Sequence, residues 1–409
     1  MALSIALSGL NAANSDLSVI ANNIANASTV GFKGSQAEFA DVYSSTGAGQ
    51  SNTAIGEGVN LADVAQQFQQ GDVQNTQNAL DMAITGNGFF TVDGSNGIAY
   101  TRAGDFQQDA NGFVVTPGGQ NLQVFPPTAN GGFNTGTLQN LQILNTQGTA
   151  NPTSNVQLAF NLPADATPPT TAPFNPADPS TFNEAIPFTV YDSQGVQHSA
   201  TAYFVAGAAG SNQWTVNLTL DGQATPVETG TIAFNSDGAL STSPPTLTFS
   251  GVATSNAGAA PLNLTLNLAQ ATQTGIAFST GAINQDGYAP GQVTGVSVSS
   301  SGVVAAQYSN GQSKALGQLA LANFANPQGL SQLNNTDWAA SAESGEPVYG
   351  AAGSNGVGQV QSSALESSNT SDVTSQLVNM ITAQSNYEAN AKVITTNQQT
   401  MNALMSAVT

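Results

Sequence analysis

The chain's one imidazole, His198, stands next to Ser199 and six residues after Asp192. Serine, histidine and a carboxylate are the parts of a hydrolytic nucleophile, its base and the group that orients the base. Here they crowd onto what alternating apolar and polar residues mark as one strand and its turn, and no serine lies in a G-x-S-x-G turn. Asp105 with Asp109, and Asp178 with Glu184, could pair for acid–base work, yet both sets fall among turn residues and read as solvated carboxylates. No D-x-[DN]-x-[DN]-G loop is present for calcium, and one histidine with no cysteine leaves transition metals few ligands. The glycine pieces GNG and GGQN lack the Lys-Ser/Thr pair of a phosphate loop. Catalytic, cofactor-binding and metal positions are therefore expected to be none, and the chain is expected not to be an enzyme.

Charge narrows the partners. Across 409 residues, 4 Lys+Arg stand against 24 Asp+Glu, a net charge of −20, and Lys33, Arg102, Lys314 and Lys392 are scattered singly. A phosphate backbone needs a clustered basic face, so no nucleic acid is expected, and an anionic membrane surface is disfavoured on the same ground. No run of about 18 apolar residues exists, so no membrane insertion is expected. The opening MALSIALSGLNAANS lacks a basic start and a long apolar core, which predicts export, if any, without a cleaved signal peptide. Charged residues are only 7% of the chain. A surface of Asn, Gln, Ser, Thr and Gly suits extensive packing against copies of itself.

With little chemistry to position, the best-patterned elements are the two ends. Leu3, Leu7, Leu10, Asn14, Leu17, Ala21 and Ile24 alternate steps of four and three, the a/d pattern of a heptad helix over about residues 3 to 27, with Gly31 as its stop. Val373, Leu377, Met380, Gln384, Tyr387, Ala391, Ile394, Gln398, Met401, Met405 and Val408 hold the same alternation for five heptads, with Ser371 or Asp372 to cap the start. These positions make Tyr387 and the methionines seam residues rather than an aromatic or sulfur site. Both seams are narrow and carry polar members, which marks helices that pair with each other or with neighbouring molecules. Asn14 at such a position would favour one register.

Two ends that pair across some 300 residues make the chain go out and come back. The fold class expected is mainly β with a terminal α-helical coiled coil, a discontinuous nested multidomain chain whose two β domains ride on paired N- and C-terminal helices. Residues 1–30 and 370–409 form the helical domain, 31–70 and 360–369 an extended Ser/Gln/Gly connector, 71–147 and 286–359 an inner β domain, and 148–285 an outer one. Hairpin turns are expected at Asn87-Gly88, Asn111-Gly112, Gln194-Gly195, Asp221-Gly222, Asp237-Gly238 and Asn310-Gly311. The proline-rich run NLPADATPPTTAPFNPADPSTF can be neither helix nor central strand and reads as a boundary or surface loop.

The same residues carry a resemblance. NNIANASTVGFKGSQAEFADVYSS resembles the N-terminal motif of the bacterial flagellar axial proteins, the rod and hook family, and SSALESSNTSDVTSQLVNMITAQSNYEANAKVITT resembles their C-terminal one. TGNGFFTV and TRAGDFQQDANGFVV extend it, and NPADPSTFNEAIPFTVYDSQGVQHSATAYF with YSNGQSKALGQLALANFANPQGLSQL look like the hook branch. The family motif maps here onto Asn22, Asn23, Ile24, Ala25, Asn26, Gly31, Phe32 and Lys33. The resemblance implies a self-assembling hollow helical tube that carries torque as a universal joint, with the terminal seams as its assembly residues. It further implies type III export, a place in the flagellum outside the cell, and partners in the rod, the hook cap and the hook–filament junction proteins. A rod or hook-cap component stays open as the alternative, and a secreted β-rich binding protein or enzyme as a remoter one.

Overall fold

In the computed structural model the residues described are 2–43, 56–144, 148–223, 225 and 228–408. The chain forms two compact units, Met1–Leu144 with Gly295–Gln307 and Ser313–Thr409, and Asn145–Thr294 with Tyr308–Gln312. It is mainly β, with one helix at each end.

Helix α1 spans Ala2–Ala25 and α2 spans Val373–Val408. Asp372 caps α2, its carboxylate accepting from the backbone N–H of Thr374 at 3.2 Å and of Ser375 at 3.4 Å. The helices lie side by side and antiparallel. Thr370, just before α2, donates its hydroxyl to the carbonyl of Asn23 near the end of α1, whereas near the start of α1 a β-carbon on Gly9 would meet the Asn390 side chain at 2.7 Å. At 1.5 Å per residue α1 is about 36 Å long and α2 about 54 Å. The end of α2 therefore overhangs, and residues 398–407 are exposed throughout.

The packing line within this pair differs from the leucine row read in the sequence. α1 buries Ala6, Ala13, Ile20 and Asn23, while Leu3, Leu7, Asn14 and Ala21 are exposed and Leu10, Leu17 and Ile24 half-buried. On α2 the covered residues are Gln376, Met380, Ala383, Asn390, Ala391, Ile394 and Asn397. Val373, Leu377, Gln384, Tyr387, Gln398, Met401 and Met405 are exposed, and the Val408 side chain lies outside the described residues. Small side chains allow close backbone approach, so the alanine line takes the contact and the larger residues are left facing out.

The chain after α1 turns back at once. Asn23 accepts from the backbone N–H of Ser35 at 3.0 Å and donates to its carbonyl at 2.8 Å, which aligns strand Ser35–Val42 beside the helix. That strand pairs antiparallel with Gly58–Gln66, and Ser8 of α1 accepts from the N–H of Val59. The stretch read as an extended connector thus carries a two-stranded sheet on α1. Its alternation is hard to see because neither strand has a fully apolar face; Phe39, Leu61 and Val64 remain exposed.

The β core of this unit gathers Met82, Ile84, Phe90, Val92, Phe106, Val114, Leu122, Val124, Leu319 and Leu321. Outward and return strands interleave: Phe89–Gly94 pairs with Gly97–Thr101 and with Leu321–Asn323, Val73–Asn75 with Ala364–Glu366, and Met82–Thr85 with Gln359–Ser362. The Asn87-Gly88 hairpin is consequently a wrong expectation. Met82–Thr85 and Phe89–Gly94 belong to different sheets, and the turn between them, with Gly86 at φ +106 and Gly88 at φ +111, crosses from one to the other. A local turn signal reports the bend, not the partner, and here the return leg supplies the partner. The hairpin of Phe89–Gly94 lies later, at Ser95-Asn96.

The second unit is a sandwich. Glu184–Tyr191, Gln197–Ala206, Gln213–Leu220 and Glu228–Ala233 form an antiparallel sheet in chain order. Thr246–Val252, Leu262–Thr274, Asn155–Pro163 and Ser279–Gln285 form the other, with Asn155–Pro163 parallel to Leu262–Thr274. Strict alternation turns Val156, Leu158, Phe160, Leu162, Ala202, Phe204, Val216, Leu218, Leu264 and Leu266 inward. Asp237-Gly238 turns the chain from the first sheet to the second. The proline-rich run departs from its reading at both ends: Asn161–Pro163 complete a central strand, and Pro179–Thr181 make a 3-10 turn capped by Asp178. Proline is tolerated at each place, as the last strand residue and as the first turn residue.

Candidate functional site

Two of the four cations read as scattered meet on one carboxylate. Lys33 Nζ lies 2.5 Å from Glu366 Oε1, and Arg102 Nη1 lies 3.2 Å from Glu366 Oε2. Lys33 follows α1, Arg102 follows strand Gly97–Thr101, and Glu366 ends strand Ala364–Glu366 on the return leg. All three are buried. Glu366 Oε1 also accepts from the N–H of Gly71, and its carbonyl accepts from the N–H of Gly31. Lys33 donates further to the carbonyl of Gln69, and Arg102 to those of Ile84 and Gly86. One side chain thereby ties the segment after α1, the strand edge at 84–86 and the return leg.

Burial pushes the Lys33 ammonium below the usual lysine value, with Glu366 pulling it back up and Arg102 adding to the fall. Burial lowers Arg102 as well, and Glu366 opposes it. Two cations share one carboxylate, so the cluster is held by carbonyl dipoles as much as by charge. The Arg102 guanidinium carbon also sits 5.6 Å from the ring centroid of Phe89. Phe89 belongs to an aromatic cluster with Tyr100, Phe324 and Trp338, and Phe68 packs on it.

The family motif falls around this cluster. Asn23 fixes the chain reversal after α1, Asn26 donates to the carbonyl of Asn22, and Phe32 and Lys33 are buried. Ala25 is the last residue of α1 and is exposed, and Ile24 is half-buried. Gly31 does not end the helix. It lies six residues further, at φ +66, where a β-carbon would stand 2.3 Å from the backbone nitrogen of Ala103. Glu366 and Arg102 entered the sequence reading only as members of quoted motifs, Arg102 also as a scattered cation, and neither was singled out as a site residue. Nothing local to either residue signals a partner more than 260 positions away.

Of the catalytic candidates, His198 and Asp192 come together and Ser199 joins them only through its backbone. His198 Nδ1 lies 2.7 Å from Asp221 Oδ2 and Nε2 3.2 Å from Asp192 Oδ2, so carboxylates occupy both ring nitrogens. Ser199 contributes its backbone N–H to Asp221, and the Ser255 hydroxyl donates to that carboxylate. Among the described residues no serine hydroxyl hydrogen-bonds the ring, and a ring that donates from both nitrogens has no lone pair to act as a base. Asp109 accepts from the N–H groups of Asn111 and Phe113, and Asp178 from Ser180, so each closes its own turn. Burial raises Asp105 and Glu184 above the ordinary carboxylate range. Among the described residues no cluster of three His, Asp or Glu is placed to hold a metal ion.

The remaining feature is apolar surface on the helices. Leu3 and Leu7 on α1 are about half exposed at 50% and 51%; on α2 so are Val378, Ile381, Val393, Met401, Leu404 and Met405, the last at 69%. No described helix is long and apolar enough to cross a membrane.

Comparison with known proteins places these features in one group. Residues 3–33 match the family described as flagella basal body rod protein, and 361–407 the flagellar basal body rod FlgEFG protein C-terminal region. Residues 83–168 match the flagellar hook protein FlgE/F/G D1 domain and 161–288 the flagellar basal body protein FlaE D2 domain. The flagellar hook protein FlgE of Salmonella typhimurium is 38% identical over 416 residues, covering 99% of this chain and all of the relative. That of Escherichia coli K12 is 37% identical over 425 residues with the same coverage. The crystal structure of Helicobacter pylori flagellar hook protein FlgE2 shares the fold at TM-score 0.55, covering 72% of this chain and all of that one at 15% identity. Terminal motifs, both intervening domains and full-length relatives agree, and this chain belongs to the flagellar hook protein family, as a structural protein of the bacterial flagellum.

Proposed function

We propose that the chain self-assembles into the hollow, flexible helical tube of the hook and passes torque from the rod to the filament as a universal joint. The observation that carries this is the overhang of α2: residues 398–407 are exposed, Met401 and Leu404 among them at 55% and 61%. A helix that exposes apolar residues in water is marginal, so its stable state is one in which another copy buries them. The seam residues Leu3, Leu7, Leu377, Met401 and Met405 then face neighbouring subunits, while the alanine line keeps the pair together within each one. The polar surface fits the joint, because one hydrogen-bonded arrangement can replace another as subunits slide.

On this reading the chain acts without catalysis and is exported through the flagellar type III apparatus without a cleaved signal. Its partners are the rod, the hook cap and the hook–filament junction proteins. The fourfold nested division into helical, connector, inner and outer β domains describes its order along the chain. Electron microscopy of the full-length protein beside a version lacking 1–30 and 370–409, in sulfate strong enough to promote apolar burial, tests it. Hollow tubes from the full-length protein alone are expected. Monomers from both would move a partner-dependent rod or cap component to the front.

A further inference from the structure

His198 sits where three loops of the sandwich unit meet. Asp192 belongs to the turn between Glu184–Tyr191 and Gln197–Ala206, and Asp221 follows Gln213–Leu220. Ser255 and Asn256 belong to the loop between Thr246–Val252 and Leu262–Thr274, in the opposite sheet. Asp192 Oδ1 accepts from the N–H groups of Gln194 and Val196, both at 2.8 Å, and Oδ2 from Asn256 Nδ2 at 2.8 Å. Asp221 Oδ1 accepts from the N–H of Ser199 at 3.1 Å, and Oδ2 from the Ser255 hydroxyl at 2.6 Å. Each carboxylate therefore orders a loop of its own and also faces the ring.

An imidazole donates from both nitrogens only when it carries the second proton. The groups whose charge acts on the ring are Asp192 and Asp221, and among the described residues no other cation pairs with either. A neutral ring would turn a lone pair toward one carboxylate in a negatively charged cluster where His198 and Asp192 are buried and Asp221 reaches the surface. We propose that the second proton on His198 is a latch: while it is bound the three loops are closed on one another, and its loss as pH rises releases them.

Burial by itself would lower the His198 value, but the hydrogen bonds and charges of Asp221 and Asp192 outweigh it and raise it above 6.5. Burial likewise would raise Asp192, yet the donors Asn256, Val196, His198 and Gln194 hold it at about 2, so its charge persists through the whole range. A histidine whose folded value is raised contributes its full stabilisation below the unfolded value and loses it as pH climbs through the folded one.

Ring-nitrogen NMR on the full chain tests the latch, and the single histidine makes the signal unambiguous. Both ring nitrogens are expected to be protonated below the titration midpoint, and that midpoint to lie above the ordinary histidine value of 6.5. Amide exchange at Gln194, Val196 and Ser199, corrected for base catalysis, should accelerate about tenfold per pH unit between the unfolded and folded values and level off above, as loss of one proton requires. In His198→Gln that pH dependence should vanish. A midpoint at or below 6.5, one protonated nitrogen below the midpoint, or corrected exchange that ignores pH overturns the proposal. Should His198→Gln fail to fold, titration and exchange in the unsubstituted chain still decide.

Discussion

Glu366 joins three segments of the first unit. It is fully buried, is the one carboxylate shared by Lys33 and Arg102, and accepts from Gly71. Glu366→Gln keeps the shape and removes the charge, leaving two buried cations with only carbonyls to face. Breaking a buried pair by losing one partner costs about 3–5 kcal/mol, so the denaturation midpoint of the first unit should fall by that equivalent in a urea titration. Adding Lys33→Met to Glu366→Gln should recover part of the loss, because only Arg102 then lacks a counter-charge. A loss under about 1 kcal/mol in the single variant would mean that the carbonyls alone suffice.

The terminal helices show how one element serves two sets of contacts. Their alanine line, Ala6, Ala13 and Ala383, is covered within the chain, and the exposed residues sit on other faces. Substitutions on the overhang should separate the two. Met401→Ser with Leu404→Ser should leave the thermal unfolding of the β units unchanged, because both side chains are more than half exposed in the monomer, and should raise the protein concentration needed for tube growth. If each side chain buried on assembly is worth about 1.5–3 kcal/mol, the rise is at least tenfold, measurable by sedimentation of polymer. An equal shift in the unfolding of the β units would show that the overhang instead supports the monomer.

The whole molecule goes out and returns, and its sandwich unit is an insertion whose two ends meet: Asn151 and Tyr288 exchange backbone hydrogen bonds at 3.1 and 3.0 Å. Removing 152–287 and rejoining the ends through a short glycine linker should therefore leave the first unit folded. Tubes from that variant should still form but with altered curvature or stiffness, which electron micrographs would read directly. Complete loss of assembly, with the first unit shown folded by circular dichroism, would give the sandwich a part in holding the tube together.

The sequence by itself determined what is local. Three-four spacing marked both terminal helices, strict alternation marked the sandwich strands, and Asn111-Gly112, Asp221-Gly222 and Asn310-Gly311 marked turns, since each depends on residues within a few positions. Tertiary structure decided every choice of partner. Met82–Thr85 pairs with Gln359–Ser362 rather than across Asn87-Gly88, and Lys33 finds Glu366 333 positions away. It also decided which line of each helix turns inward, where alanine and glycine let the backbones approach and the leucine row could not. Hydrogen-bonding edges, buried charges and close approach are satisfied by whatever the fold brings near, and that is set by the return of the chain, not by its neighbours in sequence.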